Sequence, residues 1–388
     1  MACEGMASIF LSEEQELFRA TVRDFAEKEI APRAEEFDQH GVFPRDVFTR
    51  LGTLGYFALR YPEDVGGQGA DFVTTCLLYE ELARASLSVA AICAMQALMG
   101  TWFVFRYGTD EQKQRWLIPA LRGEKIGTFA ITEPDAGSDL GGIRTLARRD
   151  GDGWLLNGAK TWITSAPVAD FITVGAKTSQ ERGLDSIALF LVDTATRGFS
   201  VGKPIEKLGT RSSLTSEIAL DNVRLPADAL LGAEGDGVKN VGGILSEIRV
   251  MTGALSVGLG QAALEAAARY ANQREAFGQP IARHQAISFK LADMASQLHA
   301  ARLATYDAAW RIDRGLPVTQ EASMCKLLAS EAAAAIADEA TRIFGSYGFA
   351  MEFPAQRYFR DARFLLNGGG TSEILRMLIG RDVSKTYR

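Results

Sequence analysis

The sequence predicts an α+β protein built from three successive parts, with helices at both ends of the chain and β-strands in the middle. Two patterns indicate this order. Apolar residues recur every three or four positions in the first and last thirds, whereas the middle third holds short alternating runs separated by turn formers. The length of 388 residues and the hydrophobic content of 47% suffice for two or three domains. We predict an N-terminal helical domain over residues 1–125, a middle β domain over 126–235 and a C-terminal helical domain over 236–388.

The N-terminal part begins with a strong helix signal. Ser12 and Gln15 have the spacing of a capping box, in which each side chain bonds the backbone N–H of the other residue. Leu17, Phe18, Val22 and Phe25 follow on one face of this helix. Further segments with helical spacing, "DFVTTCLLYEELARAS" and "DEQKQRWLIPALRG", come after the loop "EDVGGQGAD".

In the middle part, strand-like runs alternate with turn signals. They are "WLLNGAKTWIT", which contains the turn pair Asn157-Gly158, "FITVGAKT", "SIALFLV" and "SEIALDNVRLP". Helical spacing then returns, with Ile287, Leu291, Met294 and Leu298 as one buried stripe. No GxGxxG follows a strand, so a nicotinamide-binding Rossmann enzyme is disfavoured.

Composition excludes several other classes. The net charge of −6 and the pI near 5.4 provide no basic field for nucleic acid or an anionic membrane. The cysteines at positions 3, 76, 93 and 325 show no CxxC pair, so we predict neither a metal site nor a disulfide framework. The start lacks a basic segment followed by a long apolar one, and we find no apolar run long enough to span a bilayer. We expect a cytoplasmic protein without membrane contact.

Four local patterns carry the functional signal: "FAITEPDAGSD" (129–139), "KTWITSA" (160–166), "REAFGQPIARHQA" (274–286) and "GGGTSEILR" (368–376). Each alone has an ordinary structural explanation, such as a loop, a strand with a buried tryptophan or a helix start. In this order and at these separations, they resemble the acyl-CoA dehydrogenase family over essentially the whole chain.

The resemblance implies a β-barrel-like middle domain, a C-terminal four-helix bundle, and FAD bound between domains and between subunits of a homotetramer or homodimer. It implies the removal of two hydrogens from an acyl-CoA or acyl-carrier-protein thioester, with the α-proton leaving to a base and the β-hydride passing to flavin N5. A carboxylate can remove so weakly acidic a proton only if hydrogen bonds polarise the thioester carbonyl. The implied electron acceptor is an electron-transfer flavoprotein.

Individual positions match the family's cofactor contacts. In the β domain, Trp162 would offer a flat wall to the flavin ring, and Ser138 would lie near the flavin phosphates or the substrate. In the C-terminal domain, the guanidinium of Arg274 would suit a neighbouring subunit's pyrophosphate, and Arg249 would anchor the CoA end of the substrate. The full set of implied FAD contacts is Phe129, Ile131, Thr132, Gly137, Ser138, Trp162, Ile163, Thr164, Arg274, Phe277, His284, Gln285, Arg342, Gly345, Thr371 and Glu373.

The glycine run 368–370 is where the chain departs from the family. A glycine turn that enters a helix at Thr371 presents free backbone N–H groups and the positive end of the helix dipole. The usual pattern here is Tyr-Glu-Gly-Thr, and its glutamate is the base, but this chain has Gly369 at that position. The Gly369 N–H can still bind the thioester oxygen, and we assign Gly370 to the substrate site.

Some relatives with this glycine supply a glutamate from the helix before the matched arginine. Counting back from Arg249, that place is Ile248, and the carboxylate is one residue earlier, at Glu247. An offset of one residue turns a side chain by roughly 100° around a helix. Three alternatives stay open: Glu247 reaches the substrate as the base, another residue or no base is used, or Glu247 is a solvated residue of a weakly active or inactive member. Beyond dehydrogenation, the alternatives are oxidase, reductase or elimination chemistry on an unusual thioester, and a non-catalytic flavin-binding protein.

Overall fold

A computed structural model describes residues 11–179 and 183–387, and within them the helical, β, helical order is confirmed. Cys3 and the start that we judged for a targeting segment lie outside the described residues. The N-terminal helices are α1 Glu13–Phe25, α2 Ala34–His40, α3 Arg45–Thr53, α4 Phe72–Ala85, α5 Leu87–Ala94, α6 Trp102–Tyr107, α7 Asp110–Gln112 and α8 Ile118–Leu121.

The start of α1 is the predicted capping box. The backbone N–H of Ser12 donates to Gln15 Oε1 at 3.0 Å, and that of Gln15 donates to Ser12 Oγ at 3.2 Å. Of the predicted stripe, Val22 and Phe25 are buried and Phe18 packs partly against the core, whereas Leu17 is 70% exposed. The thiols of Cys76, Cys93 and Cys325 are free and buried.

The expectation that no apolar run is long enough to span a bilayer is wrong. Among the described residues, Leu87–Tyr107 is long and apolar enough to cross a membrane by length and composition, with a mean hydropathy of 1.7. Within the fold, 83% of the most apolar part of this segment is buried inside the protein. The run consists of α5, a π-helical segment Met95–Gly100 and α6, and its apolar side chains belong to the helical core.

The middle domain is one eight-stranded sheet. Its strands are β1 Gly127–Ala130, β2 Leu146–Asp150, β3 Gly153–Thr164, β4 Phe171–Lys177, β5 Ile187–Asp193, β6 Phe199–Val201, β7 Thr215–Leu225 and β8 Leu230–Leu231. The strand order is β6-β7-β3-β2-β4-β5-β8, and β1 pairs in parallel with β4. Between the described strands, β6 and β8 are not paired with each other, so the sheet is not closed by hydrogen bonds.

Asn157-Gly158 is not the turn that its sequence indicates. Both residues lie inside β3, where the register to β7 shifts between Leu156 and Gly158. A Cβ at Gly158 would lie 2.4 Å from Thr145 Oγ1. The glycine therefore allows strand β2 to approach closely at a bulge.

The C-terminal domain is led by the 37-residue helix α9, Gly237–Gln273, which packs on α4, α10 and α11. The other elements are β9 Glu275–Ala276, β10 Gln279–Pro280, α10 Gln285–Asp313, α11 Thr319–Phe344, α12 Pro354–Asn367 and α13 Ser372–Thr386. On α10, Met294 and Leu298 are fully buried, whereas Ile287 and Leu291 are partly buried against the core.

A loop of the β domain fixes the position of α12. The N–H of Ser165 donates to Leu214 O at 2.7 Å, and the N–H of Thr210 donates to Asp361 Oδ1 at 2.6 Å. Gly209 lies so close to α12 that a Cβ there would be 2.4 Å from Arg360 O. Through this loop, the strand end after Trp162 is tied to the helix that leads into the glycine turn.

Candidate active site

The glycine turn 368–370 joins α12 to α13 and lies against α9. Gly369 and Gly370 have φ values of +73° and +107°, which favour glycine. A Cβ on Gly369 would be 3.1 Å from Thr252 Oγ1 and 3.6 Å from Ile248 Cγ2. Among the described residues, the N–H of Gly369 has no hydrogen-bond acceptor. The turn thus presents an unused donor beside the middle of α9.

The predicted helix start is confirmed at Thr371. Its Oγ1 accepts a hydrogen bond from the Ile374 N–H at 3.3 Å, and α13 begins at the next residue. The hydroxyl of Ser372 is buried without a partner. The pKa of Glu373 is lowered, first because its own backbone N–H donates to the carboxylate and then by the Thr371 hydroxyl. This helix start therefore already favours negative charge.

A buried lysine of α11 binds the backbone of the glycine turn. The sequence analysis did not predict this residue. Lys326 of α11 is completely buried, and its Nζ donates to Gly370 O at 2.7 Å and to Leu366 O at 3.1 Å. Burial lowers the pKa of Lys326 to about 8, against the attraction of Glu331. A lysine inside the small apolar run "SMCKLLAS" was the signal that could have identified it.

Arg249 lies in the helical core, and its assignment as an anchor for the CoA end stays a prediction. Only 4% of its surface is exposed, and its Nη1 donates to Ser323 Oγ at 3.0 Å. Its Nε is buried without a partner, and burial lowers the pKa of the guanidinium. The guanidinium therefore faces α11 rather than solvent.

Glu247 does not lie over the glycine turn. Its Oε2 lies 2.5 Å from Nη1 of Arg60 in an ion pair, and both side chains are mostly buried. The α9 side chains nearest the position of a Gly369 Cβ are those of Thr252 and Ile248. The structure thus keeps the offset of one residue: Ile248 lies beside the turn, and Glu247 pairs with Arg60.

The two β-domain motifs meet side by side. The N–H of Thr161 donates to Thr132 O at 3.0 Å, and the hydroxyl of Thr128 donates to Thr164 O at 2.6 Å. Trp162 is 57% exposed and has a φ of +60°, so its indole is available to a ligand. Thr132, Thr164 and Ile131 are partly exposed, whereas Ile163 is buried in the β-domain core.

Phe129 is a core residue. Its ring stacks on Phe103, with the ring centroids 4.9 Å apart, and it is buried. Only its backbone could contact a cofactor at this place. Gly137 and Ser138 are exposed, and Ser138 lines a surface cavity with Asp139, Leu140, Gly141, Gly183 and Leu184.

A buried ion pair that we did not predict locks the two motifs together. Lys160 Nζ lies 2.7 Å from Glu133 Oε1 and donates to Ile131 O at 3.0 Å. Glu133 also accepts from the backbone N–H groups of Arg144 at 2.5 Å and Thr145 at 2.9 Å. Burial opposes its charge, but Lys160 and these donors lower the pKa of Glu133, while burial lowers that of Lys160 to about 8.

The third motif forms a projecting hairpin. Phe277 at its tip is 95% exposed, and Arg274 and Gln285 are also exposed. His284 stays with its own hairpin, since its Nε2 lies 3.1 Å from Ala276 O. Arg342 is exposed and paired with Asp338 at 2.7 Å, and Gly345 ends α11 with a φ of +62°. The structure does not bring this group to the glycine turn within one chain.

Comparison with known proteins agrees with the three-part architecture. Sequence profiles for the acyl-CoA dehydrogenase N-terminal, middle and C-terminal domains match residues 12–124, 128–223 and 235–384. Benzylmalonyl-CoA dehydrogenase of Aromatoleum aromaticum is 48% identical over 96% of this chain and 99% of its own. The 3-(aryl)acrylate reductase of Clostridium sporogenes is 42% identical over 97% and 100%.

Solved structures agree as well. A chain from the structural study of the electron transferring flavoprotein of Acidaminococcus fermentans superposes with a TM-score of 0.93 at 34% identity, covering 96% of this chain and 98% of that one. Profile matches over all three domains and close relatives over nearly the whole length lead to one assignment. The chain belongs to the acyl-CoA dehydrogenase family of flavoprotein oxidoreductases.

Proposed function

We propose that this protein catalyses the FAD-dependent α,β-dehydrogenation of an acyl-CoA thioester. The observation that carries the proposal is the unused N–H of Gly369, held in a glycine turn beside the start of α13. An amide aimed at a thioester oxygen stabilises the negative charge that develops there when Cα loses its substituent.

The residues present fit FAD. Trp162 offers an exposed aromatic face at the end of β3, and the start of α13 combines free N–H groups with the unpartnered hydroxyl of Ser372. FAD bound here would accept the hydride that leaves Cβ. Phe277 and Arg274, on a hairpin remote from their own turn, would contact FAD of a neighbouring subunit in a homotetramer or homodimer.

The next question is which residue removes the α-proton of the substrate. Glu247 is our candidate base for an ordinary saturated acyl-CoA, and it can act only after it leaves Arg60, since the ion pair of 2.5 Å engages its carboxylate. The α9 residues that lie against Gly369 are Ile248 and Thr252, and neither carries a carboxylate.

That arrangement favours a second candidate, a thioester that carries a carboxylate on Cα. Loss of CO2 breaks the Cα–carboxylate bond and leaves its electron pair on Cα, so that no proton-abstracting base is needed. Bound FAD would take the β-hydride, and an α,β-unsaturated thioester would remain. The relative named benzylmalonyl-CoA dehydrogenase is named for a thioester of this type.

The test is anaerobic titration of the FAD-loaded protein with butyryl-CoA, 3-phenylpropanoyl-CoA and benzylmalonyl-CoA, followed by flavin absorbance. Bleaching by a saturated acyl-CoA supports the first candidate. Bleaching by benzylmalonyl-CoA alone, with release of CO2, supports the second. Protein that takes up no FAD, or whose FAD no thioester bleaches, would contradict both and leave the non-catalytic alternative.

The electron acceptor and the acyl carrier belong to the same proposal. We infer an electron-transfer flavoprotein as acceptor in the cytoplasm, and the similarity to a chain from an electron transferring flavoprotein study supports this choice. Reoxidation by such a flavoprotein but not by oxygen would distinguish a dehydrogenase from an oxidase. Parallel titration with acyl-carrier-protein thioesters identifies the carrier.

A further inference from the structure

Lys326 hydrogen-bonds a backbone carbonyl on each side of Gly369. Leu366 O belongs to the last turn of α12, where carbonyl groups lack helical partners, and Gly370 O precedes the cap of α13. Nζ of Lys326 donates to both, at 3.1 and 2.7 Å. Gly369 lies between these two anchored carbonyls, so the direction of its N–H depends on the lysine.

A second buried cation lies in the same layer. Arg249, on the facing helix α9, acts electrostatically on Lys326, and its polar contact is the hydroxyl of Ser323. Within the part of the chain that the structure describes, neither cation forms a salt bridge. Glu331, whose charge also acts on Lys326, is itself paired with Arg376 at 2.7 Å, and Glu373 is fully exposed at the start of α13.

Two buried cations without an acid between them are costly to maintain. A buried charge is ordinarily neutralised by a partner, because desolvation is not repaid otherwise. Here the positive potential is left directed at the turn that carries the unused N–H of Gly369. In a low-dielectric site, such a potential stabilises a negative charge that develops nearby.

We propose that Lys326 is a positioning residue that holds the Gly369 amide in place and, together with Arg249, supplies the positive potential that stabilises the enolate of a bound acyl thioester. This inference rests on the proposed function and deepens it. It applies to both candidate substrates, since loss of a proton and loss of CO2 place the same electron pair on Cα and the thioester oxygen.

The experiment uses acetoacetyl-CoA, a β-ketoacyl thioester that ionises to a stable enolate and contains no saturated α,β bond to oxidise. Its ionisation is followed by ultraviolet difference spectra, free and bound to the FAD-loaded protein. We expect the bound ligand to ionise at lower pH than the free ligand. Ionisation at the same pH as in solution would overturn the proposal without any variant.

Two variants separate charge from hydrogen bonding. Lys326→Met removes both, and Lys326→Gln keeps a donor without the charge and serves if the methionine variant does not fold. By analogy with supporting residues behind catalytic groups, we expect the enolate to bind roughly 10–100-fold more weakly in Lys326→Met. Binding of saturated butyryl-CoA should change much less, and Lys326→Gln should fall between.

Lys177→Met is the matched control. Lys177 of β4 is also buried, and its Nζ donates to a backbone carbonyl, that of Gly141, at 2.9 Å, but in the β domain. We expect it to leave the ratio of enolate to butyryl-CoA affinity unchanged. Equal losses of both affinities in the Lys326 variants would mean a merely structural role and overturn the proposal. If wild-type FAD is bleached by acyl-CoA while the variants ionise acetoacetyl-CoA normally, this inference fails and the proposed function stands.

Discussion

The carboxylate of Glu247 lies 2.5 Å from Nη1 of Arg60, whereas the next residue along the helix, Ile248, is the one that faces Gly369. The guanidinium of Arg60 also lies over the ring of Trp102, 4.6 Å from its centroid. Burial opposes its charge, but attraction to Glu247 outweighs burial and raises the pKa of Arg60. Glu247 is therefore tied to the N-terminal domain rather than poised over the turn.

Glu247→Gln tests the base directly. If Glu247 removes the α-proton of a saturated acyl-CoA, the rate of flavin reduction should fall by roughly 10²–10⁴-fold, with FAD still bound. Reduction by benzylmalonyl-CoA, which needs no base, should persist. Stopped-flow absorbance measures both rates.

Glu265→Gln controls for the loss of an ion pair on the same helix, because Glu265 pairs with Arg84 at 2.8 Å. It should leave both rates intact. A Glu247→Gln variant that reduces its flavin with butyryl-CoA at the wild-type rate would dismiss Glu247 as the base.

The pair Lys160–Glu133 should be essential for stability, because both partners are buried. Lys160→Met leaves the Glu133 carboxylate without its cation, which should cost about 3–5 kcal/mol of unfolding free energy. The double variant Lys160→Met/Glu133→Gln should recover part of that loss. Thermal unfolding by circular dichroism measures the changes.

The exposed pair Arg149–Glu234, at 2.5 Å, is the matched control. Its loss in Arg149→Met should cost less than about 1 kcal/mol, because solvent screens exposed charges. Equal destabilisation by both single variants would show that burial is not what makes Lys160–Glu133 important.

Asp361 should make stability depend on pH in the acidic range. Burial raises its pKa from the usual 3.8 to about 6; Asp38 adds to this, and the Thr210 N–H, Arg357 and Arg360 oppose it. The folded state therefore holds the proton more tightly than the unfolded state, so this group's contribution is largest below pH 3.8 and falls as pH rises to about 6. Asp361→Asn should gain stability relative to wild type above pH 6, by about 3 kcal/mol at most.

The gain should vanish near pH 4, where the wild-type carboxyl is also neutral in the fold. Melting curves between pH 4 and 8 measure it, with Asp24→Asn on exposed α1 as the control that shows no such trend. A constant difference between Asp361→Asn and wild type at all pH values would contradict the assignment of the titration to Asp361.

Phe277 should matter to the assembly and not to the fold of one chain. Because its ring is 95% exposed, Phe277→Ala removes almost no buried surface within the chain. We expect weaker retention of FAD and a shift to smaller species in light scattering. Leu17→Ala, at an exposed apolar residue of α1, should change neither, and a Phe277→Ala variant with unchanged FAD retention and mass would contradict the hairpin's role.

Local patterns in the sequence determined the elements and their order. The capping box at Ser12, the helix start at Thr371 and the strand-like texture of the middle third depend on neighbours only a few residues apart, so the chain itself reveals them. Local signals gave the wrong result at Asn157-Gly158, where the expected turn is a bulge in β3. There, Thr145, the residue before β2, lies too close for a Cβ at Gly158.

The resemblance to a family predicted cofactor motifs and a glycine in place of the usual glutamate, but not which way each side chain faces. Phe129 matched a cofactor contact, yet its ring is packed on Phe103. Arg249 matched a substrate anchor, yet it is enclosed beside Ser323. Which way a residue faces depends on helices and strands packed from distant parts of the chain.

The sequence by itself determined three domains, a flavin-type motif set and a turn with glycine in place of the expected acid. Only the tertiary structure decided that Glu247 meets Arg60, that Lys160 meets Glu133 and that Lys326 supports the glycine turn. Lys160 and Glu133 are 27 positions apart in the sequence, and Arg60 and Glu247 are 187 apart. Lys326 reaches the glycine turn from a different helix. Charges are buried in such places only where the fold brings a partner or a carbonyl to them, and no local pattern records that meeting.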